Sequence, residues 1–383
     1  MPENQPIKRE SIYFPGLNGL RFIAAFFVLI HHNEQIKQIF QMENFWDVPF
    51  IEVIGKLGVI LFFVLSGFLI TYLLLKEEEA TGTIEVKKFY IRRMLRIWPL
   101  YYLLMGMGFF VFPYLALTQG PINYTTLFSN YSSNFIFFLF LMPNVAYILN
   151  SAIPFISQMW SVGVEEQFYF QWPLLMKKVK NKEVLLYSII FFYLAVKFGG
   201  FALNKYVLGS SDLKTFLSFW QLFNIDCMAI GGLIAFYYFK KDEIKLKLFY
   251  HKFTQVFVIS LLTILIALGI HIPYFHYEFY AILFGILILN LATNPNGIFN
   301  LENRVLNFLG KISYGIYMLH PFAIFAGIKL LNMFAIDNFF VELVTVSLLT
   351  ILIAYISYEF LEKYFIKRKI AYSKIISGDN VKQ

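Results

Sequence analysis

Residues 16–32 read GLNGLRFIAAFFVLIHH, an apolar stretch with an arginine in its first turns and two histidines at its end. Arg21 and His32 are eleven residues apart, so both side chains lie on one face of an α-helix, about 16 Å apart along its axis. An ionisable side chain inside a membrane helix is costly, and histidine titrates near neutral pH. The pair therefore predicts a catalytic or transport path through a helical bundle. His31 points elsewhere and is expected to pack against a different neighbour.

A simpler interpretation stays open for each residue taken alone. Arg21 could extend its side chain to the cytoplasmic headgroups, and His32 could lie at the outer membrane interface. Their position on one shared face favours the functional interpretation.

The composition excludes a soluble domain. Of the 383 residues, 58% are hydrophobic and 20% aromatic, and the mean hydropathy is +0.62. Apolar runs of about twenty residues recur along the chain, which predicts an all-α, polytopic membrane protein. The net charge of +8 does not indicate nucleic acid, because basic residues of membrane proteins collect in the cytoplasm and meet anionic lipid there. The single cysteine, Cys227, excludes an intrachain disulfide and is expected to pack within a helix.

Ten membrane-spanning helices agree best with the positive-inside rule. This number places most of the 32 basic residues, and both termini, in the cytoplasm. The predicted spans are 18–33, 55–75, 93–112, 164–176, 184–200, 216–239, 253–271, 276–293, 313–334 and 339–361.

The remaining apolar segment, 132–149, is predicted to be a re-entrant or interfacial element of an outer loop. Residues 113–163 around it contain no lysine or arginine, as an external loop should. The first apolar segment is expected to be retained and not cleaved as a signal peptide. We predict one membrane domain over 1–366 and a short basic cytoplasmic tail over 367–383.

A group of arginines opens the third predicted span. Residues 89–102 read FYIRRMLRIWPLYY, in which Arg93 and Arg96 are three apart and share one helix face. Two guanidinium groups there could bind a phosphorylated ligand bidentately. The alternative is an ordinary cluster of cytoplasmic positive charge.

Two adjacent carboxylates lie within MWSVGVEEQFYFQWP, residues 159–173. Glu165 and Glu166 could simply favour a helix N-terminus electrostatically. One of them could instead face the bundle interior and orient an imidazole. Both interpretations stay open at this stage.

A second intramembrane histidine lies in ISYGIYMLHP, residues 312–321. His320 follows two tyrosines and could be hydrogen-bonded to them or to the backbone. Further polar side chains inside predicted spans could each be satisfied between helices, or could belong to a site: Ser66, Asp226, Glu359 and Glu362.

These segments together resemble acyltransferase family three, the polytopic membrane acyltransferases that O-acylate bacterial surface sugars. The resemblance extends from about residue 14 to 366. One departure is Asn224, where members often have an arginine. The matching motifs, in family order, are the Arg21 and His32 spacing, FF-x-L-S-G-F at 62–68, R-x-x-R-I-x-P-x-Y from Arg93 to Tyr101, W-S-x-x-V-E-E-Q-F-Y from Trp160 to Tyr169, S-Y-x-x-Y-x-x-H from Ser313 to His320, and S-Y-x-x-x-E from Ser357 to Glu362.

The resemblance implies an acyl-CoA donor, most simply acetyl-CoA, bound from the cytoplasm, and an acceptor hydroxyl presented from outside. It implies no metal. The implied catalytic residues are His32 as base, with Glu165 or Glu166 holding its imidazole. The implied donor-binding residues are Arg21, Arg93, Arg96 and Tyr101. The implied substrate or supporting residues are Ser66, Trp160, Ser161, Tyr169, Asp226, Tyr314 and His320.

The same resemblance implies a multi-pass protein of the bacterial cytoplasmic (inner) membrane. Its expected partners are membrane lipid, a glycan or glycolipid acceptor and separate envelope-assembly proteins. One alternative is a transporter or flippase for a lipid-linked sugar or other solute, but the internal repeats and paired broken helices of such proteins are not found in the sequence. A second alternative is a non-catalytic membrane partner.

Overall fold

The computed structural model describes residues 11–114, 130–336 and 338–377. The described chain is helical, as predicted, apart from one pair of two-residue strands. Strand β1 (Ser11–Ile12) pairs in parallel with β2 (Ile376–Ser377), so the two ends of the described chain meet.

The helices of the described residues are numbered in chain order. Short π-helical turns follow α7 and α15, at Asn204–Leu208 and Tyr358–Glu362. The α-helices are α1 Leu17–Ile39, α2 Pro49–Thr81, α3 Val86–Phe110, α4 Tyr131–Leu139, α5 Pro143–Asn150, α6 Trp160–Lys178, α7 Lys182–Leu203, α8 Ser211–Phe223, α9 Ile225–Lys240, α10 Glu243–Tyr250, α11 Lys252–Ala267, α12 His276–Thr293, α13 Arg304–Lys311, α14 Ser313–Met333, α15 Phe339–Ser357 and α16 Lys363–Lys369.

Several of these helices are long and apolar enough to cross a membrane, which indicates a multi-pass membrane protein. By length and composition there are 6 within the described residues, or 7 if α10 and α11, bent by 58°, form one span. Helices also occupy the other three predicted spans, namely α1, α3 and α6, but these do not meet the criterion. Ten crossings therefore remain a prediction. The helices that meet the criterion are Pro49–Thr81, Lys182–Leu208, Ser211–Lys240, His276–Thr293, Ser313–Met333 and Phe339–Tyr372.

Two predicted segments are divided in the structure. Residues 132–149 form α4 and α5, which meet near Leu141 in a left-handed conformation with φ 60°. Their lengths of 9 and 8 residues are too short for a crossing. The predicted span 216–239 contains a junction between α8 and α9 at Asn224, with φ 40°. Asparagine tolerates this conformation better than arginine does, which gives a local reason for the residue found there.

Helix α2 packs along both α1 and α9. Two glycines bring the backbones of α2 and α9 unusually close. A Cβ added to Gly67 would lie 1.9 Å from the carbonyl oxygen of Met228, and one added to Gly231 would lie 2.1 Å from that of Val64. Small residues at such crossings let helices approach where lipid offers no hydrophobic driving force for association.

The end of the described chain packs against the bundle. The predicted boundary between a domain ending at 366 and a tail falls inside α16, and α16 packs against α3. Arg92 of α3 donates to the carbonyl oxygen of Tyr372 at 3.0 Å. Residues 367–377 are therefore part of the packed structure.

We expect Gly231→Ala to lower the free energy of unfolding by about 1–3 kcal/mol, because the added methyl group must push α9 away from α2. The matched control is Gly199→Ala in α7, where a Cβ would meet no atom within 4 Å. The measurement is the thermal midpoint of each variant purified in detergent. Equal midpoints for the two variants would contradict the close approach of α2 and α9.

Candidate active site

A cavity of about 170 Å³ lies between α1, α2, α3, α6 and α14, with α16 against one end. Apolar side chains of α2 form much of its wall. The cavity brings together most of the predicted site residues, which come from five different helices. Those that line it are Arg21, Ser66, Arg93, Arg96, Ser161, Glu165, Tyr169 and Tyr314.

One end of the cavity is cationic. Arg93 and Arg96 reach it from α3 and Arg21 reaches it from α1, while Lys311 and Lys369 complete the group. Apart from Arg21, none of these cations makes a hydrogen bond or an ion pair with another described residue. Buried charges are normally paired, so five cations beside a single carboxylate, Glu165, indicate a site for an anion.

Sequence reasoning missed two of these cations. Lys311 lies two residues before the S-Y-x-x-Y-x-x-H motif, and Lys369 falls in the predicted tail. The positive-inside rule already explains basic residues at the cytoplasmic ends of helices, so neither lysine was singled out. The position of Lys311 beside a motif was the one available signal.

A single carboxylate, Glu165, lies among the described lining residues. Ser66 Oγ donates to Glu165 Oε1 at 2.8 Å, and the Tyr169 hydroxyl donates to Oε2 at 3.0 Å. Glu165 and Tyr169 are four residues apart on α6, so they share the face that meets α2. The Arg93 guanidinium lies 5.6 Å from the Tyr169 ring centroid, which connects this network to the cationic end.

The neighbouring Glu166 points to a different place. Its Oε2 accepts a hydrogen bond from Trp98 Nε1 at 3.0 Å. Its Oε1 is buried and has no hydrogen-bond partner among the described residues. The two adjacent glutamates therefore serve different helices, Glu165 facing α2 and Glu166 facing α3.

His32 and His320 form a contact between α1 and α14. His32 Nδ1 lies 3.0 Å from His320 Nε2 and 3.0 Å from the carbonyl oxygen of Val28. His320 Nδ1 lies 2.6 Å from the carbonyl oxygen of Tyr317. A carbonyl oxygen can only accept a hydrogen bond, so the Nδ1 atom of each histidine must carry the proton. His320 Nε2 is then unprotonated and accepts the hydrogen bond from His32 Nδ1–H. His32 Nε2 keeps a lone pair and has no partner among the described residues.

The predicted contact between His32 and a glutamate does not form, and the partner of His32 is His320. The reason is the depth of the two groups in the bundle. On α2, Gly55 packs against His31, whereas Ser66 contacts Glu165. These α2 positions are eleven residues apart, or about 16 Å along the helix. His31 itself packs against α2 as expected, with Nδ1 2.8 Å from the carbonyl oxygen of Ile51.

Tyr317 lies between the cavity and the histidine pair. Its side chain lines the cavity, and its carbonyl oxygen contacts His320. The hydroxyl donates to the carbonyl oxygen of Gln158 at 2.9 Å and lies 2.6 Å from Ser161 Oγ. The ring packs edge-on against Phe62, with centroids 5.8 Å apart. The cavity thus comes within one helical turn of the histidines.

Trp160 extends the polar path beyond the cavity. The Lys56 ammonium lies 4.0 Å from the centroid of the Trp160 ring. Lys56 precedes the lining residues Val59 and Phe63 by three and seven positions, so it continues the same face of α2 toward the histidine end. Sequence reasoning named Trp160 but not Lys56.

Two predicted site residues, Tyr101 and Asp226, lie apart from both the cavity and the histidine pair. Tyr101 is fully buried and its hydroxyl donates to the carbonyl oxygen of Phe138 at 2.8 Å, which holds α4 against α3. Asp226 is fully buried at the start of α9, and neither of its carboxylate oxygens has a hydrogen-bond partner among the described residues. An ion pair of 2.5 Å between Lys197 and Glu278 lies near it. Neither residue is placed to touch a ligand in the cavity.

Residues 14–359 match the protein family described as an acyltransferase domain, which is nearly the whole chain. The chain belongs to this acyltransferase family. The resemblance predicted from the sequence motifs is therefore confirmed.

Two relatives of the chain have O-acetyltransferase names. A protein of Staphylococcus aureus strain COL named "Putative O-acetyltransferase SACOL0978" is 28% identical over 385 residues, covering 94% of this chain and 59% of the relative. "O-acetyltransferase OatA" of strain NCTC 8325 is 28% identical over 374 residues, covering 91% of this chain and 57% of the relative. The chain thus spans less than two thirds of the length of these relatives. No solved structure matches it.

Two arginines of α3, Arg92 and Arg96, should contribute differently to the free energy of unfolding. Arg92 donates to Glu77 Oε2 at 2.7 Å, and Glu77 is buried. We expect Arg92→Gln to lower the free energy of unfolding by about 1–3 kcal/mol, because it leaves a buried carboxylate without its cation. Arg96→Gln should not lower it, because removing one of several like charges relieves repulsion.

The measurement is the thermal midpoint of both variants in the same detergent. An equal loss of stability in Arg96→Gln would mean that Arg96 has a structural partner. The interpretation of the cationic end as an anion site would then be wrong for that residue.

Proposed function

We propose that the protein is a membrane O-acyltransferase that moves an acyl group, most simply acetyl, from cytoplasmic acyl-CoA to a hydroxyl of an envelope or exported glycan. The observation that carries the proposal is the continuous arrangement of the site. An end with five cations and one carboxylate opens into a cavity that reaches within one turn of a histidine pair. Family membership and the names of the relatives support the same reaction class.

The cationic end suits the donor. CoA carries several phosphate oxygens, and guanidinium groups bind phosphate through charge-assisted, bidentate hydrogen bonds. Arg93 and Arg96 would hold these phosphates, with Arg21 deeper in the cavity. The narrow pantetheine arm would then run along α2, past Phe62 and Tyr317, toward the histidines.

In this proposal His32 acts as the general base. Its Nε2 would take the proton of the acceptor hydroxyl while that oxygen attacks the thioester carbonyl carbon. As the new C–O bond forms, the C–S bond breaks, and the CoA thiolate leaves and takes the proton back from the imidazolium. The products are the acyl ester and free CoA. One positioned base suffices for a thioester, so we favour direct transfer over an acyl-enzyme.

His320 would position the base. By accepting from His32 Nδ1–H, it fixes the tautomer that leaves Nε2 free to accept a proton. Glu165 would act at the other depth of the cavity, holding Ser66 and Tyr169 and offsetting part of the cationic charge. Its role in the reaction is thus proposed as positioning the donor side and not the imidazole.

The topology proposed with this function is one domain with ten crossings in the bacterial inner membrane and both termini in the cytoplasm. The pairing of β1 with β2 supports an even number of crossings, because it places residues 11–12 and 376–377 on one side of the bundle. Helices α4 and α5 would form the re-entrant or interfacial element, and the acceptor would enter from that outer side.

Loss of the base should remove acyl transfer. We expect His32→Ala to lower kcat by about 10²–10⁴-fold, the usual contribution of a general base. The measurement is release of CoA thiol by purified protein given acetyl-CoA and extracted envelope glycans, with omission of the glycan as a control. Full glycan-dependent release by folded His32→Ala would remove His32 as the base.

Two substitutions of His320 separate positioning from packing. His320→Gln keeps an acceptor for His32 Nδ1–H, whereas His320→Ala does not. We expect kcat to fall by at least about tenfold in the alanine variant and to recover in part in the glutamine variant, with KM for acetyl-CoA little changed. Equal activity of both variants and wild type would exclude the positioning role.

The arginines of α3 should control donor affinity. We expect the double variant Arg93→Gln with Arg96→Gln to raise KM for acetyl-CoA by about tenfold or more, because charge-assisted hydrogen bonds to phosphate are lost. The matched control is Lys87→Gln, which removes an exposed charge from the same helix. Unchanged KM in the double variant would mean that these arginines are an ordinary cluster of cytoplasmic positive charge.

A further inference from the structure

The two ends of the described chain meet at the cationic end of the cavity. Residues 12–14 line the cavity beside β1, and Ile366 and Lys369 line it from α16. The pairing of β1 with β2 joins these segments. We call residues 11–14 and 363–377 together the terminal clasp.

Other contacts fasten the terminal clasp to α3 and to the loop before it. Arg92 donates to the carbonyl oxygen of Tyr372 at 3.0 Å, and Lys374 lies 3.5 Å from Glu85. Lys88, and then Lys374, hold the pKa of the Glu85 carboxyl below its ordinary value. These contacts are electrostatic and partly exposed to solvent, so they hold residues 370–377 less firmly than helix packing would.

Lys369 is the unusual residue of the clasp. Its side chain lines the cavity and is only 8% exposed, yet it makes no hydrogen bond or ion pair with a described residue. Four arginines lie near its ammonium group, namely Arg96, Arg93, Arg92 and Arg21. A cation buried among cations is unfavourable unless an anion joins them.

The net charge of the lining residues indicates how much negative charge that anion carries. Five cations and the one carboxylate, Glu165, give a net formal charge of +4 among the described lining residues. A phosphomonoester carries about −1.5 to −2 at pH 7, so one such group does not match this charge. A ligand with a monoester and a diphosphate matches it far better, and the phosphorylated end of CoA is of this kind.

We propose that Lys369 binds a phosphate group of the acyl donor and that the terminal clasp closes the cytoplasmic end of the cavity over it. The inference rests on the proposed function in one respect, that the donor is an acyl-CoA. It adds a binding residue outside the family motifs and gives the chain termini a part in donor retention. The anion supplies the partner that Lys369 lacks.

The first experiment measures CoA binding to the full-length chain in detergent by calorimetry, for wild type, Lys369→Gln and Lys367→Gln. Lys367 is exposed on the same helix and does not line the cavity, so it controls for loss of one positive charge. We expect CoA affinity to fall about tenfold in Lys369→Gln and to change less than about twofold in Lys367→Gln. Unchanged affinity in Lys369→Gln would overturn the proposal.

Thermal midpoints of the same proteins without ligand distinguish binding from structure. Lys369→Gln should unfold at the same temperature as wild type or higher, because one repulsive charge is removed. CoA should then stabilise it less than it stabilises wild type. A lower midpoint without ligand, combined with a normal CoA-induced shift, would make Lys369 a structural residue and overturn its role in binding.

An anionic lipid headgroup offers the same phosphate chemistry, so a second arm tests it. The binding measurement is repeated in nanodiscs of phosphatidylcholine with and without phosphatidylglycerol. If Lys369→Gln abolishes competition by phosphatidylglycerol but leaves CoA affinity in phosphatidylcholine unchanged, the site belongs to lipid and the proposal fails. If the loss of CoA affinity persists without anionic lipid, the proposal stands.

The clasp itself is tested by a chain that ends at Lys369 and so lacks β2. We expect CoA to dissociate at least about fivefold faster from it in stopped-flow measurements, since the cover is removed while the charge stays. An unchanged dissociation rate would overturn closure. Absence of any CoA binding to folded wild type would instead count against the proposed function, which keeps the two failures distinct.

Discussion

The cost of placing charge inside an apolar bundle is the constraint that organises this structure. Several buried charges elsewhere in the bundle are paired, as Arg92 is with Glu77 and Lys197 with Glu278. Around the cavity the cations outnumber the one carboxylate, and four of them make no side-chain hydrogen bond or ion pair with a described residue. The helices hold these cations around the cavity and do not bring further acidic side chains to pair with them. The chain thereby maintains a local free-energy cost that a bound polyanion would remove.

The side chains of the candidate site lie at two depths of the bundle. At one depth Glu165, Ser66 and Tyr169 border the cationic end, and at the other His32 and His320 meet near the end of α1. Tyr317 contacts both groups. Its hydroxyl lies within hydrogen-bond distance of Ser161 Oγ, and its carbonyl oxygen contacts His320 Nδ1. Shifting α14 along its axis would disturb both ends at once. Its further hydrogen bond, from Tyr314 to the carbonyl oxygen of Ile97, opposes such a shift.

Helical periodicity predicted the elements well, because it depends on neighbours within one helix. It placed Arg21, Arg93 and Arg96 on faces that the structure does turn to one cavity. It could not find His320 as the partner of His32, or Ser66 as the partner of Glu165, since such pairs depend on the relative depth of helices. Lys369 was missed for another reason: positive charge near a cytoplasmic helix end already has an ordinary explanation.

The contact between His32 and His320 also bears on how the protein is made. The two residues are 288 positions apart, and α1 enters the membrane long before α14 is synthesised. During that interval the arginine and histidines of α1 lack the surroundings that satisfy them in the finished bundle. Helix α2, which packs along α1, is the first neighbour able to shelter them. The proposed reaction centre is therefore among the last features of the bundle to assemble.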